Sequence, residues 1–365
     1  MKRISFLFTV ILSITVVIST IFYGCDNSKE EVVKIGAILP LTGEGAEWGI
    51  TSKNAILLAL NERNVNNPKI RFEVLFEDSR STVKDGLSVL NKLDAQNVKF
   101  VIGDIISSNV LAMAPVVEKN GILLISPGAS NPDITLAGDN VFRTWQSDAL
   151  EAQVGASFVL DSVFWKKIAI IYLENGYGVG LAKEFEKTIE TRGFKPTLVE
   201  SFKIGQANFR DLISKIKNNK PDGIYLASYP EENHNILKQL KEQQVKIPVL
   251  GTQGFVSPQI KTLIPTLNYT IYFSIPLPPD STSVSVRNFQ QNYNKAYGKT
   301  PGITADAAYD AFVLLANGIQ LHGYNVPKVK NYLYSVKNFS GASGILTINK
   351  FGDVEKPFVF IKNMQ

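Results

Sequence analysis

Apolar and polar positions follow two alternating rhythms along this chain, and the switches between them predict its elements. Residues 32–39 (VVKIGAIL) form a short, nearly continuous apolar run, and residues 48–64 follow with apolar positions at helical spacing. The run at 70–77 and the helical stretch at 83–94 repeat the pair, and 100–103, 110–119 and 122–126 extend it. Short apolar runs without period-two alternation predict strands buried on both faces. Helical stretches between them imply a parallel sheet with helices on each side.

The rhythm then restarts. Strands are predicted at 167–172, 197–202, 223–227 and 248–251, with helices at 178–192, 209–217 and 231–243 between them. The openings VKIGAILP and KKIAIIYLE are alike, each a lysine-led apolar strand launching a strand–helix series. The fold class is therefore α/β, with two doubly wound, Rossmann-like lobes. The tail differs, with helices at 284–297, 304–322 and 327–336 and short strands only at 344–348 and 358–362. Helices without their own sheet must cover an existing one, so the chain is expected to cross between lobes three times. The expected hinge crossovers lie near 143–150, 274–280 and 341–345. Lobe one then comprises 32–147 with 277–343, and lobe two 148–276 with 344–365.

Composition changes this picture little. The chain has 365 residues, 45% hydrophobic and 19% charged, with a formal net charge of +5. That length suits two domains. The positive charge is spread out, with no basic stripe interleaved with aromatics, so no nucleic-acid partner is expected. The N-terminus adds more. Lys2-Arg3 precedes an almost charge-free apolar run over 4–22, closed by Gly24-Cys25. This reads as a secretory signal. Cys25, the only cysteine, follows a small residue and so resembles the bacterial lipoprotein cleavage box, although Phe22 and Tyr23 depart from its usual residues. The expectation is a signal over 1–25, lipid attachment at Cys25, a polar tether over 26–31, and a folded part outside the cytoplasm. No thiol is then left for a disulfide or metal site.

Two turns carry the candidate chemistry. Ser107-Ser108 follows the strand at 100–103 and begins a helix, and Ser126-Pro-Gly-Ala-Ser-Asn131 follows the neighbouring strand. Helix N-termini leave N–H groups unpaired with partial positive charge and so attract anions. The Ser130 hydroxyl and the N–H groups of Ala129 and Ser130 are placed to grip a carboxylate, with Gly128 admitting close approach. The alternative is that both serines merely cap helices. The loop Asn175-Gly-Tyr-Gly-Val-Gly180 invites a dinucleotide reading, but the third glycine of that motif would fall at position 181, which is Leu181. Its glycines instead expose Tyr177 at a strand end. No nucleophile or metal motif is present, and the two histidines, His234 and His322, sit on separate predicted helices. The chain is not expected to be an enzyme, and no cofactor is implied.

Several segments now line up with one family. VVKIGAILPLTGEGAEWG, VIGDIISSNVLAMAPVVEKNGILLISPGASNPDIT, NVFRTWQSDALEAQVGA and NFRDLISKIKNNKPDGIYLASYPEEN resemble blocks of the periplasmic branched-chain amino-acid (Leu/Ile/Val) binding proteins, type I solute receptors of ABC importers. The resemblance runs from residue 32 to the last strand. It implies the type I periplasmic binding protein fold, a monomer delivering a small ligand to a membrane permease, and no catalysis. By position it implies that Ser107, Ala129 and Ser130 hold the ligand carboxylate, and that Trp48 and Tyr177 pack on the ligand from facing lobes. Two positions depart. Gln253 stands where the family has an acid for the ammonium, and Ser228, followed by Tyr229, stands where a tyrosine lines the pocket. A neutral amide supplies no counter-charge, so amides and aromatic or organic acids stay open beside apolar amino acids. Asp306 and Glu231 are the acids weighed as substitutes. A ligand sensor on the same fold is the other functional class.

Overall fold

The computed structural model describes residues 31–66 and 70–362; the N-terminal apolar run and Cys25 lie outside them. The first sheet holds β1 (Glu31–Leu39), β2 (Ile70–Asp78), β3 (Phe100–Gly103), β4 (Leu123–Ser126) and β5 (Val141–Arg143), ordered β2-β1-β3-β4-β5. All its pairings are parallel. Helices α1 (Ala46–Asn66), α2 (Val83–Ala95) and α3 (Ser107–Asn120) connect its first four strands. Every residue of β3 and β4 is buried, which is why they show as unbroken apolar runs.

Helix α4 (Asp148–Asp161) leads into the second lobe. Its sheet is built from β6 (Ile168–Leu173), β7 (Leu198–Phe202), β8 (Gly223–Ala227), β9 (Val249–Gly251) and β10 (Ile271–Pro276). Helices α5 (Gly176–Thr191), α6 (Arg210–Asn219), α7 (Pro230–Glu242) and the short α8 (Pro258–Leu263) connect them. Helices α9 (Val284–Tyr297), α10 (Ala305–His322) and α11 (Val326–Ser335) return to the first lobe, as the lack of tail strands implied. Phe312 of α10 meets Phe72 of β2 edge-on, with centroids 6.0 Å apart, and Tyr293 of α9 hydrogen-bonds Thr51 of α1 at 2.9 Å.

The third crossing differs from expectation. Strands β11 (Phe339–Gly341) and β12 (Gly344–Leu346) form a small hairpin instead of opening lobe two. Leu346, Ile348 and Val354 bury in the same core as β1 and α10. Only β13 (Phe358–Lys362) joins the second sheet, antiparallel to β10, giving the order β13-β10-β9-β8-β6-β7. The crossing therefore falls after Val354, beyond the Gly- and Ser-rich stretch at 341–345. That stretch is tied down from α10. The buried Asp310 carboxylate accepts the N–H groups of Ala342 and Ser343 at 2.7 and 2.9 Å and the Ser343 hydroxyl at 2.5 Å.

Burial pushes the Asp310 carboxyl from an ordinary 3.8 up to about 6, outweighing the three hydrogen bonds that favour its charge. Its folded-state pKa lies above its unfolded value. Its stabilising contribution is therefore complete below pH ~4 and is lost as pH rises through ~6, with a size of about 3 kcal/mol. Urea titrations of the wild type and Asp310→Asn from pH 4 to 8 check this. Their stability difference is expected to shift across that window, and a difference constant with pH would contradict the assignment.

Candidate functional site

The carboxyl ends of the two sheets face each other across a cavity of about 40 Å³. A single water needs roughly 10–15 Å³, so the closed cavity has room for a small molecule. Lobe one contributes Trp48, Ile105, Ser107, Gly128 and Ser130, and lobe two contributes Tyr177, Tyr229, Gln253 and Gly254. Trp145 enters from the first crossing, and Ile303 and Thr304 from the turn before α10.

Local chemistry sets each side of this cavity. The carboxylate of Asp104 accepts the N–H groups of Ile105 (2.5 Å) and Ile106 (3.0 Å) and the Asn109 amide (2.7 Å). That bends the chain from β3 so that Ser107 and Ser108 form the first turn of α3. On the neighbouring turn, the Ser107 hydroxyl accepts the N–H groups of Ser130 and Asn131, each at 3.2 Å. A hydroxyl oxygen that accepts two bonds keeps its own hydrogen to donate. The Ser130 hydroxyl donates instead to Asp148 Oδ2 at 2.8 Å. A Cβ at Gly128 would sit 2.6 Å from Ile105 Cγ2, so only glycine fits there.

Aromatic rings close the other sides. Trp48 of lobe one meets Tyr229 of lobe two edge-on with centroids 5.3 Å apart, and Tyr229 stacks on Tyr177 at 5.5 Å. The Tyr177 hydroxyl pairs with Thr252 Oγ1 at 2.7 Å, which holds the ring over the cavity.

Of the residues singled out from sequence, the structure brings Trp48, Ser107, Ser130, Tyr177, Tyr229 and Gln253 to one cavity. It leaves out two. Ala129 is fully buried, and its N–H donates to Ser126 Oγ at 2.9 Å rather than toward the cavity. Gly128 lines the wall in its place. Ser228 is also fully buried, with its hydroxyl turned to Asn233 Oδ1 at 2.5 Å, while the Asn233 amide holds the carbonyls of Ser228 and Gly254. It fixes the turn into α7 and widens nothing. The two acids weighed as substitutes stand elsewhere. Asp306 faces a separate cavity beside the hinge with Lys356, and the exposed Glu231 stands at the outer rim. Neither histidine lines the cavity, and among the described residues no cluster of His, Cys, Asp or Glu could hold a metal ion.

Sequence reasoning missed the floor of lobe two. Asp148 and Glu151, one turn apart at the start of α4, are both buried. Gln253 Nε2 donates to Asp148 Oδ1 at 3.3 Å, and Gln253 N–H donates to Glu151 Oε1 at 2.9 Å. Ser274 Oγ donates to the same Glu151 oxygen. Burial is the largest cause raising both carboxyls above the ordinary range, and their mutual repulsion raises Asp148 further. The signal was present, since acids at i and i+3 share a helix face, but such a pair reads as a solvated surface.

The lobes are closed on one another. Gly176 N–H donates to Ser108 Oγ at 2.9 Å, and the Asn131 amide donates to the Gly176 carbonyl. A Cβ at Gly180 would lie 2.7 Å from Asn131 Nδ2 and 2.9 Å from Pro132 Cδ, so this seam tolerates no side chain. Gly180→Val is expected to hold the lobes apart, lowering ligand affinity at least tenfold with an unchanged melting temperature. Small-angle scattering checks it. A variant as compact with saturating ligand as the wild type would refute the steric account.

Comparison with known proteins agrees with this geometry. A profile described as periplasmic binding protein matches residues 32–362. A Leu/Ile/Val-binding protein homologue of Brucella suis is 31% identical over 349 residues, covering 93% of this chain and 91% of its own. A leucine-, isoleucine-, valine-, threonine- and alanine-binding protein of Pseudomonas aeruginosa is 27% identical over 347 residues, covering 91% and 90%. A leucine-binding protein of Thermotoga maritima superposes with TM-score 0.82 at 26% identity, covering 90% of this chain and 94% of that one. A benzoate-bound solute-binding protein of R. palustris shares the fold at TM-score 0.78 and 18% identity, covering 90% and 92%. These relatives are solute-binding proteins rather than enzymes.

Proposed function

We propose, since this chain belongs to the periplasmic binding protein family, that it captures a small carboxylate ligand outside the cytoplasm and presents it to an ABC importer. The family places the protein in the periplasm. The finer reading is an apolar amino acid with its carboxylate on lobe one and its side chain among the aromatic rings. The observation that carries it is the union in one closed interlobe cavity of the Ser107/Ser130 pair with Trp48, Tyr177 and Tyr229.

The hydroxyl of Ser107, with the N–H groups of the first α3 turn, meets the carboxylate. Each charge-assisted hydrogen bond contributes roughly 1.5–3 kcal/mol. The 3.2 Å bond from Ser130 N–H to Ser107 Oγ is at the long limit for such bonds, so a carboxylate replaces it readily. Ligand enters between separated lobes, and closure forms the Ser108–Gly176 and Asn131–Gly176 bonds. Ligand favours the closed state because it contacts both lobes only there. A lipid on Cys25 tethers the protein to the membrane beside its permease, which engages the closed monomer.

The four aromatic side chains lining the cavity, Trp48, Trp145, Tyr177 and Tyr229, support a second reading, an aromatic acid. A thermal-shift screen of the purified protein against amino acids, amides and aromatic acids separates the two. Ligand at 100 times its Kd stabilises by about 2.7 kcal/mol. A response to branched-chain amino acids alone supports the first reading, and one to benzoates alone the second. If only uncharged compounds register, the carboxylate grip is wrong.

A further inference from the structure

We propose that the cavity beside the hinge is a second binding site, separate from the central one. It takes a small amphipathic zwitterion, such as an amino acid with a bulky apolar side chain, whatever the central cavity holds.

The chain crossings build the space. It measures about 530 Å³, within the roughly 300–1,000 Å³ of small-molecule sites. Its wall draws on all three crossings, with Trp145 and Gln146 from the first, residues 275–279 from the second and Lys356 from the third. Val256 of lobe two and Phe289 of α9 extend the apolar part of that wall. Trp145, Ile303 and Thr304 line this cavity and the central one alike, so they form the partition between them. Thr304 is fixed in place there. Its hydroxyl pairs with Ser52 Oγ at 2.8 Å, and a Cβ at Gly128 would lie 3.1 Å from its Cγ2. The two spaces are therefore distinct.

Gln146, Lys356 and Asp306 set the ligand chemistry. Gln146 is 2% exposed, and its Nε2 is buried without a partner among the described residues. A buried donor left unpaired costs free energy. Lys356 Nζ donates to the Ser343 carbonyl at 2.8 Å, which uses one of an ammonium's three donors. Burial pulls the Lys356 ammonium below the ordinary lysine range, and the charges of Asp306 and Asp310 work against that pull. A ligand carboxylate supplies an acceptor to both side chains and a counter-charge to the lysine. Asp306 stands in the same wall, with its Oδ1 on the Ala307 N–H at 2.8 Å. Its charge disfavours a plain organic anion and suits an ammonium. A molecule with both charges and an apolar body satisfies donors, acid and apolar wall together.

The test is calorimetric titration of the full chain with L-phenylalanine, hydrocinnamate and phenethylamine. The first carries both charges, and the other two carry one each on a similar skeleton. Ser107→Ala with Ser130→Ala weakens the central grip and is expected to leave L-phenylalanine binding at the hinge in place. In that background Gln146→Leu and Lys356→Met are each expected to weaken it at least tenfold, as loss of one hydrogen bond to a charged group implies. Hydrocinnamate and phenethylamine should bind the same background at least tenfold more weakly than L-phenylalanine, by the same reasoning. Gln146→Leu removes an unpartnered donor, so its ligand-free melting temperature should match or exceed that of its parent, which separates lost binding from misfolding. No L-phenylalanine binding at millimolar concentration in the serine variant overturns the inference. Binding that neither hinge substitution changes overturns it too, as does equal affinity for all three probes. The central-site reading survives each of these results, because it is judged from the serine variant against the wild type.

Discussion

Replacing Ser107 and Ser130 together by alanine is expected to weaken binding of a small carboxylate ligand by at least tenfold. The charge-assisted hydrogen bond from the Ser107 hydroxyl, at roughly 1.5–3 kcal/mol, accounts for most of that loss, and Ser130, whose hydroxyl donates to Asp148, acts by holding its turn in place. The same substitutions also cost stability, because the hydroxyls serve the protein as well as the ligand. Ser107 Oγ accepts the N–H groups of Ser130 and Asn131, and Ser130 Oγ donates to the buried Asp148. Leaving buried donors or a carboxylate short of partners costs about 1–3 kcal/mol each. The ligand-free melting temperature should therefore fall by several degrees. Calorimetry with the tightest ligand from the screen, beside a melt of the empty protein, reads both effects. Wild-type affinity in the double variant would remove the serine turns from the site.

Arg143→Leu is expected to destabilise the protein by about 3–5 kcal/mol, the usual result of removing one partner from a buried ion pair. Arg143 is fully buried at the end of β5. Its Nε meets Asp353 Oδ1 at 2.6 Å, Nη2 donates to Thr135 Oγ1 at 2.6 Å, and Nη1 donates to the Asn131 carbonyl at 3.0 Å. One side chain thus ties the serine turn, the 3-10 turn Pro132–Leu136 and the returning loop near Asp353. Removing it leaves Asp353 charged in a buried position. Arg143→Leu combined with Asp353→Leu should recover much of the loss, since neither charge is then stranded. Urea titration of the single and double variants checks this. A single variant within 1 kcal/mol of the wild type would show that the pair carries little.

Much of the fold was legible because it is written in neighbouring residues. VVKIGAIL and KKIAIIYLE announce buried strands, and the Ser- and Gly-bearing turns after β3 and β6 announce helix starts. Helix α4 was not legible. Its buried face begins with Asp148 and Glu151 before reaching Ala152, Gly155, Ala156 and Val159, so its apolar stripe starts late and its acids mimic a solvated surface. Strand β5 has three residues, too few to establish a period. The third crossing was misplaced because 344–346 has strand character, and only its pairing with β11 shows which lobe it serves.

For this chain, Trp48 and Tyr229 were implied only by the family resemblance, while sequence alone determined two α/β lobes and a cleft edged by serine turns and Tyr177. Those depend on periodicity and turn chemistry within a few residues of each other. Tertiary structure decided which groups line the interlobe cavity. It turned Ala129 and Ser228 inward, placed Trp145 and Thr304 in the wall, and set Glu151 against Gln253, 102 positions later in the chain. A buried polar group takes whichever partner the packed lobes bring within hydrogen-bond reach, and no local pattern specifies a partner that distant.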